Sequence, residues 1–310
     1  MTSPSWVVLV TGATGFLGRR VVKALATEGQ AVLGVSQRGG DVGRVAVDAV
    51  DLCSAPSVDR WRQGKPRLDA VVHLAARVPP SPEGPEAEEA LVANVRMTLS
   101  ALRIAKADRA GFVYASGTSV YGSLDGAPAR EDLRARPGDL YTLSKYVGEE
   151  LVGLSRSTSG IRAIILRISA PYGPGQRRRT VVRTFLEAAL HSKDITFHGT
   201  GSRVQDFTHV DDAAAAVSLA LGAGESGVFN ISGGEPVSMR ELAGLAQGAV
   251  PGSGSRIVAS GQDDPQDGYR GRFVIEEAKR AFGWVPRVRL REGLVGWARE
   301  IKAEQEAART

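Results

Sequence analysis

The stretch Val7–Gly18, VVLVTGATGFLG, constrains this chain more than any other. Five mostly apolar, β-branched-rich residues, Val7 to Thr11, run straight into a glycine-spaced turn, and an amphipathic helix starts near Phe16. Strand, tight turn and helix in that order open a dinucleotide-binding βαβ unit. Gly12 allows the turn, Gly15 lets backbone approach a pyrophosphate, and Gly18 lets the helix pack closely on the sheet. The spacing G-x-x-G-x-x-G is one residue wider at the front than G-x-G-x-x-G. The anion would sit on the free N–H groups of the helix N-terminus. Glycines used for packing alone would give the same pattern; the position directly after an N-terminal strand favours the nucleotide.

Composition narrows the setting. With 43% hydrophobic residues and 24% charged residues over 310 positions, the chain reads as globular, with one or two domains. No apolar run approaches a membrane span, and the first residues, MTSPSW, lack the basic and apolar regions of a signal peptide. Cys53 is the only cysteine, so an intrachain disulfide and a thiolate metal site are both excluded, and a reducing cytoplasm is the expected setting. The histidines, His73, His191, His198 and His209, have no ligand spacing, so no metal is expected. The net charge of +5 is spread among acids, with one dense run at Arg177–Arg179. That pattern argues against nucleic acid and suits weak steering of an anionic substrate.

Strands and helices alternate through the first half. Ala31–Ser36 reads as a second strand whose end meets the adenosine ribose. An acid there would accept from the ribose hydroxyls; the residues are instead Ser36, Gln37 and Arg38. Arg38 can pair with a 2′-phosphate, which favours NADP(H), with NAD(H) as the other option; an exposed loop arginine is the plainer alternative. Val45–Leu52 holds a third strand, with Asp51 placed to meet the adenine amine and Leu52 its ring. Ser57–Gln63 reads as a short helix. Ala70–Ala76 is a fourth strand whose small end residues leave room for cofactor, and His73 within it reads as a core histidine. A helix spans Glu86–Ala107 and a fifth strand Gly111–Ser116. This alternation predicts an α/β protein with a doubly wound parallel Rossmann sheet.

The helix Tyr141–Leu154 carries the second chemical signal. Tyr141 and Lys145 are four apart and share a face. An ammonium beside a phenol favours phenolate, which predicts a lowered tyrosine pKa and a usable general acid or base. Lys145 can also donate to the nicotinamide ribose. A sixth strand follows at Arg162–Ile168, and from about Arg177 the pattern becomes irregular. The expected division is a cofactor domain over residues 1–176 and, over 177–310, a smaller substrate lobe with some elements returning to the sheet.

The motifs TGATGFLG, HLAA (73–76), YASGTSVYG (114–122), YTLSK (141–145), LRISAPYGPGQ (166–176), DFTHVDD (206–212) and AKRAFGWVPRVRLREGL (278–294) occur in that order. Together they resemble the extended short-chain dehydrogenase/reductase family of NAD(P)-dependent nucleotide-sugar epimerases, dehydratases and reductases. The resemblance spans nearly the whole chain and implies a cofactor held by Gly12, Thr14, Gly15, Phe16 and Leu17. Arg38, Asp51, Leu52, Leu74, Ala75, Ala76 and Ser116 complete its expected site, with Tyr141 and Lys145 at the reacting end. It implies a nucleoside-diphosphate sugar in the lobe, contacted by Arg270 and, since Gln205 stands where the family usually has arginine, by Arg203 two residues earlier. A homodimer through the helices at 86–107 and 141–154 is also implied.

Three departures matter. The family's third catalytic group, a Ser or Thr, falls on Gly117; Ser116 and Thr118 flank it, and Thr118 is the expected substitute. The acid that precedes the valine of VYG in dehydratases is Ser119, so abstraction of a C5 proton lacks a base. A common asparagine is Ala170. The expected activity is hydride transfer at a sugar carbonyl or carbinol carbon, with a 4-ketoreductase favoured. A 4-epimerase, a reductase of a non-sugar ketone or aldehyde, and a non-catalytic NADP-binding protein are the alternatives.

Overall fold

A computed structural model describes residues 5–307 of the chain. Its central sheet contains, in chain order, β1 (Val7–Thr11), β2 (Ala31–Ser36), β3 (Gly40–Val42), β4 (Val45–Ala49), β5 (Ala70–His73), β6 (Gly111–Gly117) and β7 (Ala163–Ile168), and a last strand at Gly227–Ile231. In space the order is Gly227–Ile231, β7, β6, β5, β1, β2, β4, β3. Every neighbouring pair is parallel except the edge pair β3 and β4. The chain moves one way from β1 to β2 and the other way from β1 to β5. The strand order therefore reverses beside β1, and the crevice at the carboxyl ends there is where such sheets bind ligands.

Helices cover both faces, as the apolar strands require. Those on the sheet are α1 (Phe16–Thr27), α2 (Ala55–Arg62), α3 (Pro85–Asp108), α4 (Leu140–Ser159), α6 (Val210–Gly222) and α8 (Glu276–Phe282), and the chain also forms α5 (Val181–Leu190), α7 (Met239–Gly248) and α9 (Leu290–Ala307) away from it. The period-2 alternation of β1 divides the core. Val8 and Val10 pack with Val21 and Val22 of α1 and Val217 of α6, whereas Leu9 packs with Leu102 of α3 and Phe112 of β6. The doubly wound α/β class expected from the sequence is what the chain adopts.

A third core lies outside the sheet. Phe185 and Leu186 of α5, Leu242 of α7 and Trp297 of α9 meet Tyr172 and Phe207 there. Its strands are short: Ile195–Phe197 pairs with Ile257–Ala259, and Val204–Gln205 with Val237–Ser238. From Val210 the chain returns to the sheet: α6 packs on α1, and Gly227–Ile231 pairs with β7. The hairpin strand β3 had no apolar alternation to announce it; Gly43, at φ +62, makes its turn.

Candidate active site

A cavity of ≈ 800 Å³ opens at the carboxyl ends of β1, β5 and β6 and is bordered by lobe loops. Its floor is the first turn. Gly12 sits at φ +68, and a Cβ on it would come within 2.8 Å of the Ala75 nitrogen. A Cβ on Gly18 would collide with the Gly12 carbonyl oxygen. Both positions therefore demand glycine, and backbone rather than side chains lines this end. The Thr11 hydroxyl accepts from the Leu74 and Ala75 N–H groups at 3.2 Å and so holds the end of β5 against the turn. His73 is the core histidine expected: it hydrogen-bonds Thr11 (2.8 Å) and Thr98 (3.2 Å), stacks on Tyr114, and burial pushes its pKa down to about 3.

The opposite wall is β6 and the start of α4. The Asp139 carboxylate caps α4 by accepting from the Thr142 N–H at 2.7 Å and the Thr142 hydroxyl at 2.9 Å. That cap sets the first turn so that Tyr141 and Lys145 both face the cavity. Lys145 Nζ donates to the Ala115 carbonyl at 2.9 Å and lies 6.0 Å from the Tyr141 ring centre. Burial lowers Lys145 to about 8, and Glu149, one turn further on, opposes that shift. Tyr141 departs from expectation. Loss of hydration against the cavity wall pushes its phenol up to about 12; Arg178 opposes the rise and Asp139 adds to it. The spacing gives adjacency with Lys145, but desolvation outweighs it, and the lowered pKa anticipated for Tyr141 is not found.

Behind this wall is a buried charge network that the spacing analysis missed. Glu149 accepts from the Ser116 hydroxyl and pairs with Arg167 at 2.7 Å through Nη2 and 3.1 Å through Nε. Arg167 stands 4.7 Å over the Tyr121 ring, and the Tyr121 hydroxyl donates to Asn230 at 2.7 Å. Two signals were available: Glu149 lies four residues beyond Lys145, and Arg167 interrupts the apolar run AIILRI.

Among the expected site residues, Gly12, Gly15, Phe16, Leu17, Leu74, Ala76, Ser116, Thr118, Tyr141 and Lys145 line the cavity. Thr14 and Ala75 flank it. Arg38 is exposed beyond the end of β2. Arg19, which the sequence reading passed over, lies beside that edge: it donates to the Thr14 carbonyl at 2.9 Å and the Asp41 carbonyl at 3.4 Å. The Asp51 carboxylate accepts from the Cys53 N–H, and Leu52 is buried with Val58 of α2 and Leu102 of α3 rather than presented to a ring. The two arginines expected at a substrate diphosphate are held back. Arg203 pairs with Asp264 at 3.2 Å, and Arg270 donates to the carbonyls of Asp267 (2.6 Å) and Tyr269 (2.9 Å). The lobe lines the cavity instead with Gln205, Pro265, Gln266, Gly268 and Tyr269. Among the described residues, no group of three or more His, Cys, Asp or Glu is placed to hold a metal, and no helix is long and apolar enough to cross a membrane.

Comparison with known proteins agrees with this geometry. The model of the NAD dependent epimerase/dehydratase family matches residues 8–232. A dTDP-glucose 4,6-dehydratase of Streptomyces griseus is 30% identical, over 94% of this chain and 93% of its own length. Among solved structures, the UDP-glucose 4-epimerase of Thermotoga maritima with UDP-glucose superposes with a TM-score of 0.89 at 26% identity, over 96% of this chain and 99% of that one. The Thermus thermophilus UDP-glucose 4-epimerase in complex with NAD superposes with a TM-score of 0.82 at 26% identity, over the same shares.

Proposed function

The chain belongs to the NAD dependent epimerase/dehydratase family and is an enzyme of the short-chain dehydrogenase/reductase type, and on that premise we propose that it is an NADP(H)-linked 4-ketoreductase of a nucleoside-diphosphate sugar. The observation that carries the cofactor choice is the end of β2. Ser36, Gln37 and Arg38 offer no carboxylate to a ribose diol, and the exposed Arg38 offers a guanidinium to a phosphate, with Arg19 beside it tied to the Thr14 and Asp41 carbonyls.

The glycine turn fits a dinucleotide: a Cβ at Gly12 or Gly18 would run into the backbone of the turn and of the end of β5, so side chains are kept off the cavity floor, and the N-terminus of α1 favours a pyrophosphate. Bound there, the nicotinamide group supplies the hydride. Tyr141 supplies the proton. With its pKa near 12 it is protonated at neutral pH, the state in which it can donate to a carbonyl oxygen. Lys145, fixed on the Ala115 carbonyl, would hold a bound cofactor's ribose with its remaining N–H groups and would stabilise the charge that Tyr141 acquires. Dehydration is disfavoured by the same wall. Residues 116–119 carry no carboxylate, Asp139 is committed to the α4 cap, and Asp206 accepts from the Gly233 N–H and the Ser169 hydroxyl. Exposed Val92 and Leu99 on α3 and Leu154 on α4 support a homodimer through those helices.

A second reading, 4-epimerase, is favoured by the likeness to the two epimerase structures. Reduction predicts that purified protein, free of cofactor, oxidises NADPH in preference to NADH with a nucleoside-diphosphate 4-keto-sugar. Tyr141→Phe should reduce kcat by about 10²–10⁴-fold. Tightly retained cofactor, with interconversion of C4 epimers and no net NADPH consumption, would establish the epimerase instead.

A further inference from the structure

The end of β6 runs directly beneath the reacting groups, because Lys145 Nζ is bonded to the carbonyl of Ala115. Three hydroxyls lie on the next four residues, those of Ser116, Thr118 and Ser119, around Gly117. The Ser116 hydroxyl is buried and donates to Glu149, so it is already engaged. Gly117 is extended, at φ −141 and ψ 151, a conformation open to any residue. A Cβ built on it meets only ordinary contacts, and the nearest is Ser119 Oγ at 3.4 Å, followed by the Ile168 carbonyl at 3.7 Å. Gly117 therefore leaves a notch in the cavity wall, and the side chain that reaches this notch is that of Ser119. Ser119 is exposed to the cavity, and its hydroxyl has no hydrogen-bond partner among the described residues.

We propose that Ser119 is a catalytic residue whose hydroxyl, reaching into the notch left by Gly117, donates the second hydrogen bond to the substrate oxygen that Tyr141 protonates. The proposal rests on the hydride-transfer reading above. As the carbonyl carbon gains hydride, its oxygen gains the Tyr141 proton and becomes the alcohol. Ser119 keeps its own proton throughout and stabilises the charge that develops on the oxygen, as a preorganised donor does. This moves the auxiliary hydroxyl from Thr118, the residue expected from the sequence, to its neighbour.

The test relocates the hydroxyl. Ser119→Ala, Thr118→Val, Gly117→Ser and the double variant Ser119→Ala/Gly117→Ser are assayed with NADPH and a nucleoside-diphosphate 4-keto-sugar, beside Tyr141→Phe. Ser119→Ala should lose about 10²-fold in kcat with the KM for NADPH unchanged. The double variant should recover at least about tenfold of that loss, because a serine at 117 places its hydroxyl in the same notch. A Ser119→Ala enzyme as active as the parent, or a loss confined to Thr118→Val, overturns the assignment while leaving the hydride-transfer reading intact. A parent that does not consume NADPH with the probe, or an active Tyr141→Phe, sinks that reading and this role with it. The notch itself is checked without turnover: Gly117→Ser should melt within about 2 °C of the parent. A fall of more than about 5 °C would show that the space is not there.

Discussion

The two walls of the cavity are built on different principles. The β6–α4 wall is rigid because its polar groups are tied through buried pairs on regular elements: Lys145 to Ala115, Ser116 to Glu149, and Glu149 to Arg167. The lobe wall is Gln205 and the loop 262–271, and the lobe cations Arg203 and Arg270 are tied to that loop or its immediate neighbours rather than aimed at the cavity. Loops reorder more readily than packed helices and strands, so a ligand is expected to reshape the second wall before the first. This division places the proton chemistry on the scaffold and the choice of substrate on the loop.

The comparison breaks most visibly at Glu149. Arg167 is only 7% exposed, and Glu149 is its acidic partner. Glu149→Gln leaves that guanidinium buried without an opposite charge and removes the anion that supports the charged form of Lys145. A loss of about 3–5 kcal/mol in unfolding free energy is expected, read from the denaturant midpoint. A loss below about 1 kcal/mol would mean that the wall is not held by this pair.

Lys145 sharpens the contrast through pH. Its native pKa is about 8 against about 10.4 when unfolded. Below pH 8 both states hold the proton and stability is flat with respect to this group. Between about pH 8 and 10 the unfolded chain binds more protons than the native one, so stability rises with pH, by at most about 1.4 kcal/mol per unit. Above pH 10 Tyr141, raised to about 12, acts in the opposite sense, since the unfolded phenol ionises first. Cofactor-free parent and Lys145→Met should therefore show stabilities that diverge from pH 8 to 10. Parallel curves would refute the buried, lowered lysine.

How much of this was legible in the sequence follows from range. The first turn and the Tyr141–Lys145 pair are local: their geometry is set by a few successive residues and a helical repeat, so spacing alone revealed them. Glu149 and Arg167 are 18 residues apart and meet only because α4 packs beside β6 and β7. Burial is equally invisible in spacing, which is why the shift of Tyr141 came out with the wrong sign. The lobe arginines could be placed near the substrate by position in the chain, but their ties to Asp264 and to the carbonyls of 267 and 269 depend on a loop with no periodicity.

The edge at β2 lies outside both walls, at a strand end open to solvent. Arg38→Ala should weaken NADPH binding about tenfold, roughly 1.4 kcal/mol, and leave NADH binding unchanged. Titration of cofactor fluorescence measures both. Equal losses for the two cofactors would assign Arg38 a role unrelated to the 2′-phosphate.

The smallest effect belongs to the lobe. Arg203 is 23% exposed in its pair with Asp264, and its Nη1 keeps a second acceptor, the Gln266 side-chain oxygen at 3.0 Å, when the carboxylate is neutralised. Asp264→Asn keeps the acceptor oxygen that binds the Gln266 N–H at 2.9 Å and removes only the charge. Stability should change by about 1 kcal/mol or less, a shift of roughly 2–4 °C in Tm at most. Arg203 then has only its bond to Gln266 to exchange for one to a diphosphate, and UDP should bind a few-fold more tightly, by about 0.5–1 kcal/mol, as measured by calorimetry. A stability loss as large as that of Glu149→Gln would erase the distinction between the walls. Unchanged UDP affinity at normal stability would show that Arg203 is a strut of the loop and that the diphosphate is held elsewhere.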